Sequence, residues 1–105
     1  MYMGLLSSLF GSNAKTDFKQ LLENGAIVVD VRSRDEFAGG HVNNSINIPL
    51  PELSAQIAAL KKKNKVIITC CQSGARSSMA KSQLGSAGIT AYNGGGWRSL
   101  QAALR

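Results

Sequence analysis

Two short runs rich in β-branched residues constrain this chain more than anything else in it: Ala26-Ile27-Val28-Val29-Asp30-Val31 and Val66-Ile67-Ile68-Thr69. A strand with one wet face alternates apolar and polar side chains, so continuous apolar runs suit strands covered on both faces. Around and between them the pattern is helical. Thr16 opens a helix with Phe18, Leu21 and Leu22 on one face, stopped by Asn24-Gly25. Ser33 with Glu36 three residues on has the spacing of a capping box and predicts a short helix ending at Gly39-Gly40. Pro49 and Pro51 precede a helix over 52–60, with Leu53, Ile57 and Leu60 on one stripe.

Further along, Met79, Ala80, Gln83 and Leu84 predict a helix ending near Gly85 or Gly88. Ile46-Asn47-Ile48 and Ile89-Thr90-Ala91-Tyr92 are brief strand candidates, Asn93-Gly94-Gly95-Gly96 is expected to turn, and Trp97 to Leu104 closes with a helix. Strands alternating with helices give an α/β fold, a small parallel sheet flanked by helices on both faces. At 105 residues there is room for one domain. It is expected over 15–105, after a loosely ordered segment over 1–14. That opening, Met1 to Phe10, is apolar but lacks the basic start and the length of a signal peptide. No membrane insertion is expected.

Charge narrows the partners without choosing one. Twelve Lys and Arg against six Asp and Glu leave a net charge of +6, which attracts anions. The densest run, Lys61-Lys62-Lys63-Asn64-Lys65, falls where a helix should end, and cations there complement the helix dipole. No aromatic residues interleave with it, so nucleic acid is not the expected partner. The two cysteines are adjacent, at 70 and 71, and cannot staple distant parts of a fold, which points to a reducing compartment and a cytoplasmic location.

The chemistry concentrates at those cysteines. Cys71 stands where a strand's carboxyl end meets the next helix, the usual place for a ligand in an open α/β sheet. The small residues Gln72-Ser73-Gly74-Ala75 can curl so that backbone N–H groups converge on an anion at the helix start. Such a nest, with Arg76 as a nearby cation, lowers a thiol's pKa and makes the ionised sulfur a nucleophile. Cys70 points to the opposite face of the strand and is expected to be a packed core thiol.

The segment Cys71-Gln72-Ser73-Gly74-Ala75-Arg76-Ser77 resembles the C-x-x-G-x-R-S active-site loop of single-domain rhodaneses, the thiosulfate sulfurtransferase family. Upstream, Asp30-Val31-Arg32 through Glu36-Phe37 to Gly40-His41-Val42 is similar to the family's D-V-R-x-x-x-E-[FY]-x-x-G-H-I segment. Ile46-Asn47-Ile48-Pro49 and Gly95-Gly96-Trp97 continue the match in family order. The resemblance implies a sulfurtransferase with Cys71 as the catalytic residue. Gln72, Ser73, Gly74, Ala75 and Arg76 would bind a small anionic sulfur donor, and a thiol, a protein or cyanide would accept the sulfur. It implies no metal and no cofactor. The Arg32–Glu36 pair is expected to tie its loop to the short helix, His41 to make a structural hydrogen bond, and Trp97 to pack the last helix.

Two departures stand out. Asn43-Asn44-Ser45 replaces the family's usual residues after His41, and Gln72 and Ser73 are neutral where many thiosulfate-using relatives carry more basic loops. A rival reading takes Cys70 and Arg76 as the C-x5-R of cysteine-dependent phosphatases. Against it, Thr69 stands where those enzymes place His, and Gly74 is spaced correctly from Cys71 and not from Cys70. A third reading is a persulfide carrier or partner-binding module without turnover.

Overall fold

The computed structural model describes residues 16–105, so the expectation for the N-terminal segment over 1–14 lies outside the described residues. Four strands form one parallel sheet in the order β2-β1-β3-β4: β1 Ile27–Asp30, β2 Ile46–Asn47, β3 Ile67–Cys71 and β4 Ala91–Gly96. Among the described residues the helices are α1 Phe18–Glu23, α2 Arg34–Ala38, α3 Leu53–Lys63, α4 Ala75–Ser86 and α5 Trp97–Ala103, with a 3-10 turn at Leu50–Glu52.

Alternation along β1 and β3 divides the interior into two layers. Val29, Ile67 and Cys71 face Leu53 and Leu60 of α3 and Ala80 and Leu84 of α4. Val28, Ile68 and Cys70 face Leu100 of α5 and the Phe18, Leu21 and Leu22 stripe of α1. Both faces of the sheet are therefore covered, as the continuous apolar runs required. Each fully buried Leu or Ile contributes on the order of 2 kcal/mol of apolar transfer free energy, which orders the layers without further polar help.

Local signals set most helix ends. Asp17 caps α1, its carboxylate accepting the Gln20 N–H at 3.0 Å. The capping box of α2 forms in full, with the Glu36 N–H donating to Ser33 Oγ at 3.2 Å and the Ser33 N–H to Glu36 Oε1 at 3.0 Å. Helix α3 runs on past Leu60, so Lys61, Lys62 and Lys63 occupy its last turn before Asn64 stops it in a left-handed conformation.

The glycine run after Tyr92 is not a turn. Residues 93–96 extend β4, and the β3–β4 register slips between Thr69 and Cys71, so that Cys71 pairs with Gly96. The glycines are there because the strand passes very close to its neighbours: a Cβ on Gly96 would sit 2.8 Å from the Gln72 carbonyl oxygen. A run that punctuates many sequences here lets a strand lie against the loop after β3.

Candidate active site

The carboxyl end of β3 carries Cys71, and its side chain enters the layer beneath α4. Gly74 takes φ +108°, a left-handed conformation that a Cβ would strain, and this reverses the chain into α4 within three residues. The helix has no side-chain cap at that end. The sulfur serves instead: Cys71 Sγ accepts the Gly74 N–H at 3.0 Å and the Ser77 N–H at 3.4 Å. The first-turn N–H groups of Ala75 and Arg76 have no acceptor within the helix and leave the positive end of α4 beside the sulfur.

These donors decide the ionisation of Cys71. Burial pushes its thiol up, but the hydrogen bonds that the Ser77 side chain and the amides of Ser77, Gly74 and Ser73 can give the thiolate outweigh burial and hold the thiol below its usual range. Cys70 behaves in the opposite way. It lies in the other layer, and burial together with the Asp30 charge pushes its thiol far up, so it stays neutral. Both cysteines are free thiols on opposite faces of one strand.

Behind the sulfur is a hydrogen-bonded brace. The buried Thr69 hydroxyl donates to the Ser77 carbonyl at 2.8 Å and pins the first turn of α4 to β3. The Ser77 hydroxyl lies 3.4 Å from Cys71 Sγ, 2.7 Å from Asn93 Oδ1 and 3.1 Å from the Gly74 carbonyl. Asn93 also accepts the Gly95 N–H at 2.8 Å and donates from Nδ2 to the Gly74 carbonyl at 3.3 Å. Ser77 closes the loop motif in the sequence, but Asn93 carries no sequence signal of its own. Only the β3–β4 register, which sets it opposite Thr69, brings it to the loop.

Of the five residues expected to surround a donor, Gly74 touches the sulfur directly, while Gln72, Ser73 and Ala75 form an exposed rim. Arg76 differs from the expectation of an available cation, since its guanidinium donates to both Glu36 oxygens at 2.8 and 3.0 Å. Glu36 therefore does not pair with Arg32. Arg32 is buried against Asp30, donating from Nη2 at 2.7 Å and from Nε at 3.0 Å, and its Nη2 also reaches the Gly40 carbonyl at 2.6 Å. The guanidinium also lies 4.9 Å from the centre of the Trp97 ring. The physical reason is reach and burial: Asp30, fully enclosed at the end of β1, needs a full charge partner, and Arg32 lies two residues away on the same strand end.

His41 accepts its structural role, with Nδ1 at 2.8 Å from the Phe37 carbonyl and its ring stacked on Phe37. Concavity alone points elsewhere. Clefts of about 370 and 380 Å³ lie beside Lys61 and Gly88 and beside Ile46 and Gln56, and neither includes a residue of the Cys71 loop. The thiol with its converging donors is the stronger candidate, because a polarised nucleophile at a strand end supplies chemistry that an unadorned cleft does not. Among the described residues no group of three or more His, Cys, Asp or Glu is placed to hold a metal ion, and no helix is long and apolar enough to cross a membrane.

Comparison with known proteins bears on the family and the fold. The chain is 32% identical over 102 residues to the thiosulfate sulfurtransferase GlpE of Pseudomonas aeruginosa, covering 93% of each. It is 36% identical over 74 residues to the thiosulfate sulfurtransferase PspE of Escherichia coli, covering 69% of this chain and 71% of that one. A solved structure described as a rhodanese with anions from E. coli superposes with a TM-score of 0.66 at 34% identity, over 71% of this chain and 91% of the other. Against several plant relatives the chain spans less than half their length, 43–46%. The family model of the Rhodanese-like domain matches residues 14–103, and the chain belongs to that family.

Proposed function

We propose that this chain is a sulfurtransferase that carries a sulfane sulfur as a persulfide on Cys71. One observation carries the reading: the Cys71 sulfur accepts the Gly74 and Ser77 amides at 3.0 and 3.4 Å, at the carboxyl end of the central strand β3. The Cys71 thiolate attacks the outer sulfur of an anionic donor such as thiosulfate. The new S–S bond forms as the donor's S–S bond breaks, and sulfite leaves with the electron pair. A thiolate or cyanide acceptor then attacks the outer sulfur, and Cys71 leaves as the thiolate. The same amides that hold the thiolate are placed to hold the anionic persulfide, so neither step needs a metal or a cofactor.

The pairing of Arg76 with Glu36 bears on the donor. Arg76 is the loop's one cation, and with its charge satisfied the anion is held by amides and the helix end, which suits a small or weakly charged donor. A protein or low-molecular-weight thiol serves as acceptor at the exposed rim of Gln72, Ser73 and Ala75.

The test is mass spectrometry of intact wild type, Cys70→Ser and Cys71→Ser after incubation with thiosulfate and, separately, mercaptopyruvate, with cyanide-dependent thiocyanate release followed alongside. One added sulfur on wild type and Cys70→Ser but not on Cys71→Ser is expected. Loading without thiocyanate release would make the domain a carrier, and no loading with either donor would sink the proposal for these donors.

A further inference from the structure

Asn93 stands behind the sulfur without touching it, and its amide orientation is fixed by its neighbours. The Gly95 N–H, 2.8 Å away, must meet an oxygen, and the Gly74 carbonyl, 3.3 Å from the other end, must meet the NH₂ group. The atom 2.7 Å from Ser77 Oγ is therefore an acceptor, and the Ser77 hydroxyl donates to it. Ser77 has one hydroxyl hydrogen, so what it offers the sulfur, 3.4 Å away, is a lone pair that the Cys71 S–H can donate to.

Ionisation reverses that demand, because a thiolate can only accept. Ser77 and Cys71 are both buried, so solvent is not there to supply a donor in place of the hydroxyl. To serve the thiolate, the Ser77 hydrogen has to leave Asn93, whose oxygen keeps the Gly95 N–H. We propose that Asn93 is a positioning residue that competes with the Cys71 sulfur for the Ser77 hydroxyl hydrogen and thereby sets how readily the thiolate forms. The proposal rests on the reading of Cys71 as the reacting sulfur. It extends the site to a residue on β4, beyond the loop.

The decisive measurement is the titration of Cys71, read as the pH dependence of its alkylation rate by intact mass in a Cys70→Ser background. Ser77→Ala removes a donor to the thiolate and should raise the midpoint by about 0.5–1 pH unit. Asn93→Leu removes the shorter of the hydroxyl's two oxygen acceptors, at 2.7 Å, leaves the Gly74 carbonyl at 3.1 Å, and should lower the midpoint by up to about half a unit. Combined with Ser77→Ala, Asn93→Leu should have no further effect, because its influence passes through that hydroxyl. A raised or unchanged midpoint in Asn93→Leu, or the same shift with and without Ser77→Ala, overturns the proposal.

Should Asn93→Leu fail to fold, Asn93→Asp keeps the acceptor for Gly95 and strengthens it for Ser77. The midpoint should then rise, and rise less when Ser77→Ala is also present; equal rises in the two backgrounds would refute the competition. Sulfur loading of the wild type is followed in parallel. Absence of loading counts against the transfer reading alone, since the thiol titration does not depend on any sulfur donor.

Discussion

Arg76 and Glu36 lie on separate helices, forty positions apart, and meet in a two-point ion pair at 2.8 and 3.0 Å that locks the start of α4 to the short helix α2. The same carboxylate completes the capping box of α2 through the Ser33 N–H. One side chain thus fixes both a helix end and the orientation of the loop after Cys71.

The pH dependence follows from Glu36. Hydrogen bonds from Arg76 first, and then from the Ser33 amide, lower its carboxyl to about 2. A carboxyl lowered on folding stabilises the fold fully above its unfolded value of about 4.3 and loses that contribution as pH falls toward 2. Stability from this group should therefore be flat between pH 8 and 5 and decline below about 4.5. Glu36→Gln should cost about 1 kcal/mol at neutral pH, kept small because the pair is partly exposed, and should flatten the acid limb of a urea-unfolding series.

The two cysteines should separate by reactivity. With Cys71 held below its usual range and Cys70 pushed up by burial, alkylation of the native protein should modify Cys71 alone. Its rate should level off at a lower pH than the value near 8.5 of a free cysteine, because the thiolate is the reacting species. Peptide mapping after labelling across pH 5–10 checks both statements; native labelling of Cys70 would contradict them.

Asp30 and Arg32 form an enclosed pair, each almost without solvent exposure. Removing one partner leaves a buried charge without compensation. Asp30→Asn or Arg32→Met should each lower unfolding free energy by about 3–5 kcal/mol. Equilibrium urea denaturation measures it, and a loss below about 1 kcal/mol would show that water reaches the strand end.

Gly96→Ala tests the close approach of β4 to the loop. Its Cβ would fall 2.8 Å from the Gln72 carbonyl oxygen, so the loop has to shift. The expected result is a destabilisation of about 1–3 kcal/mol together with slower sulfur loading. Unchanged loading would mean that Gln72 moves without disturbing the Gly74 and Ser77 donors.

Much of this architecture was written in local pattern. The β-branched runs specify buried strands because no alternation offers them a wet face, and the Ser33–Glu36 spacing specifies a helix start because both partners lie within one turn. The position of Cys71 at a strand end and the opposite direction of Cys70 follow from the two-residue period of a strand. Pairings across the fold were not legible. Glu36 has two basic candidates, Arg32 and Arg76, and only the tertiary arrangement assigns the second. Asn93 owes its place to a parallel register and a slip beside it, neither of which has a local signature, and the glycines around it favour a turn when only neighbours in sequence are considered.

The placement of Cys70 and Cys71 on opposite sides of β3 has a consequence for any sulfur that Cys71 carries. In many thiol proteins a second cysteine nearby discharges such a group by attacking it and closing an internal disulfide. Here the adjacent thiol is held neutral in a separate layer, with the strand backbone between them. On the proposed reading, a sulfur on Cys71 would therefore have no resolving thiol in its own layer and would wait for an acceptor from outside.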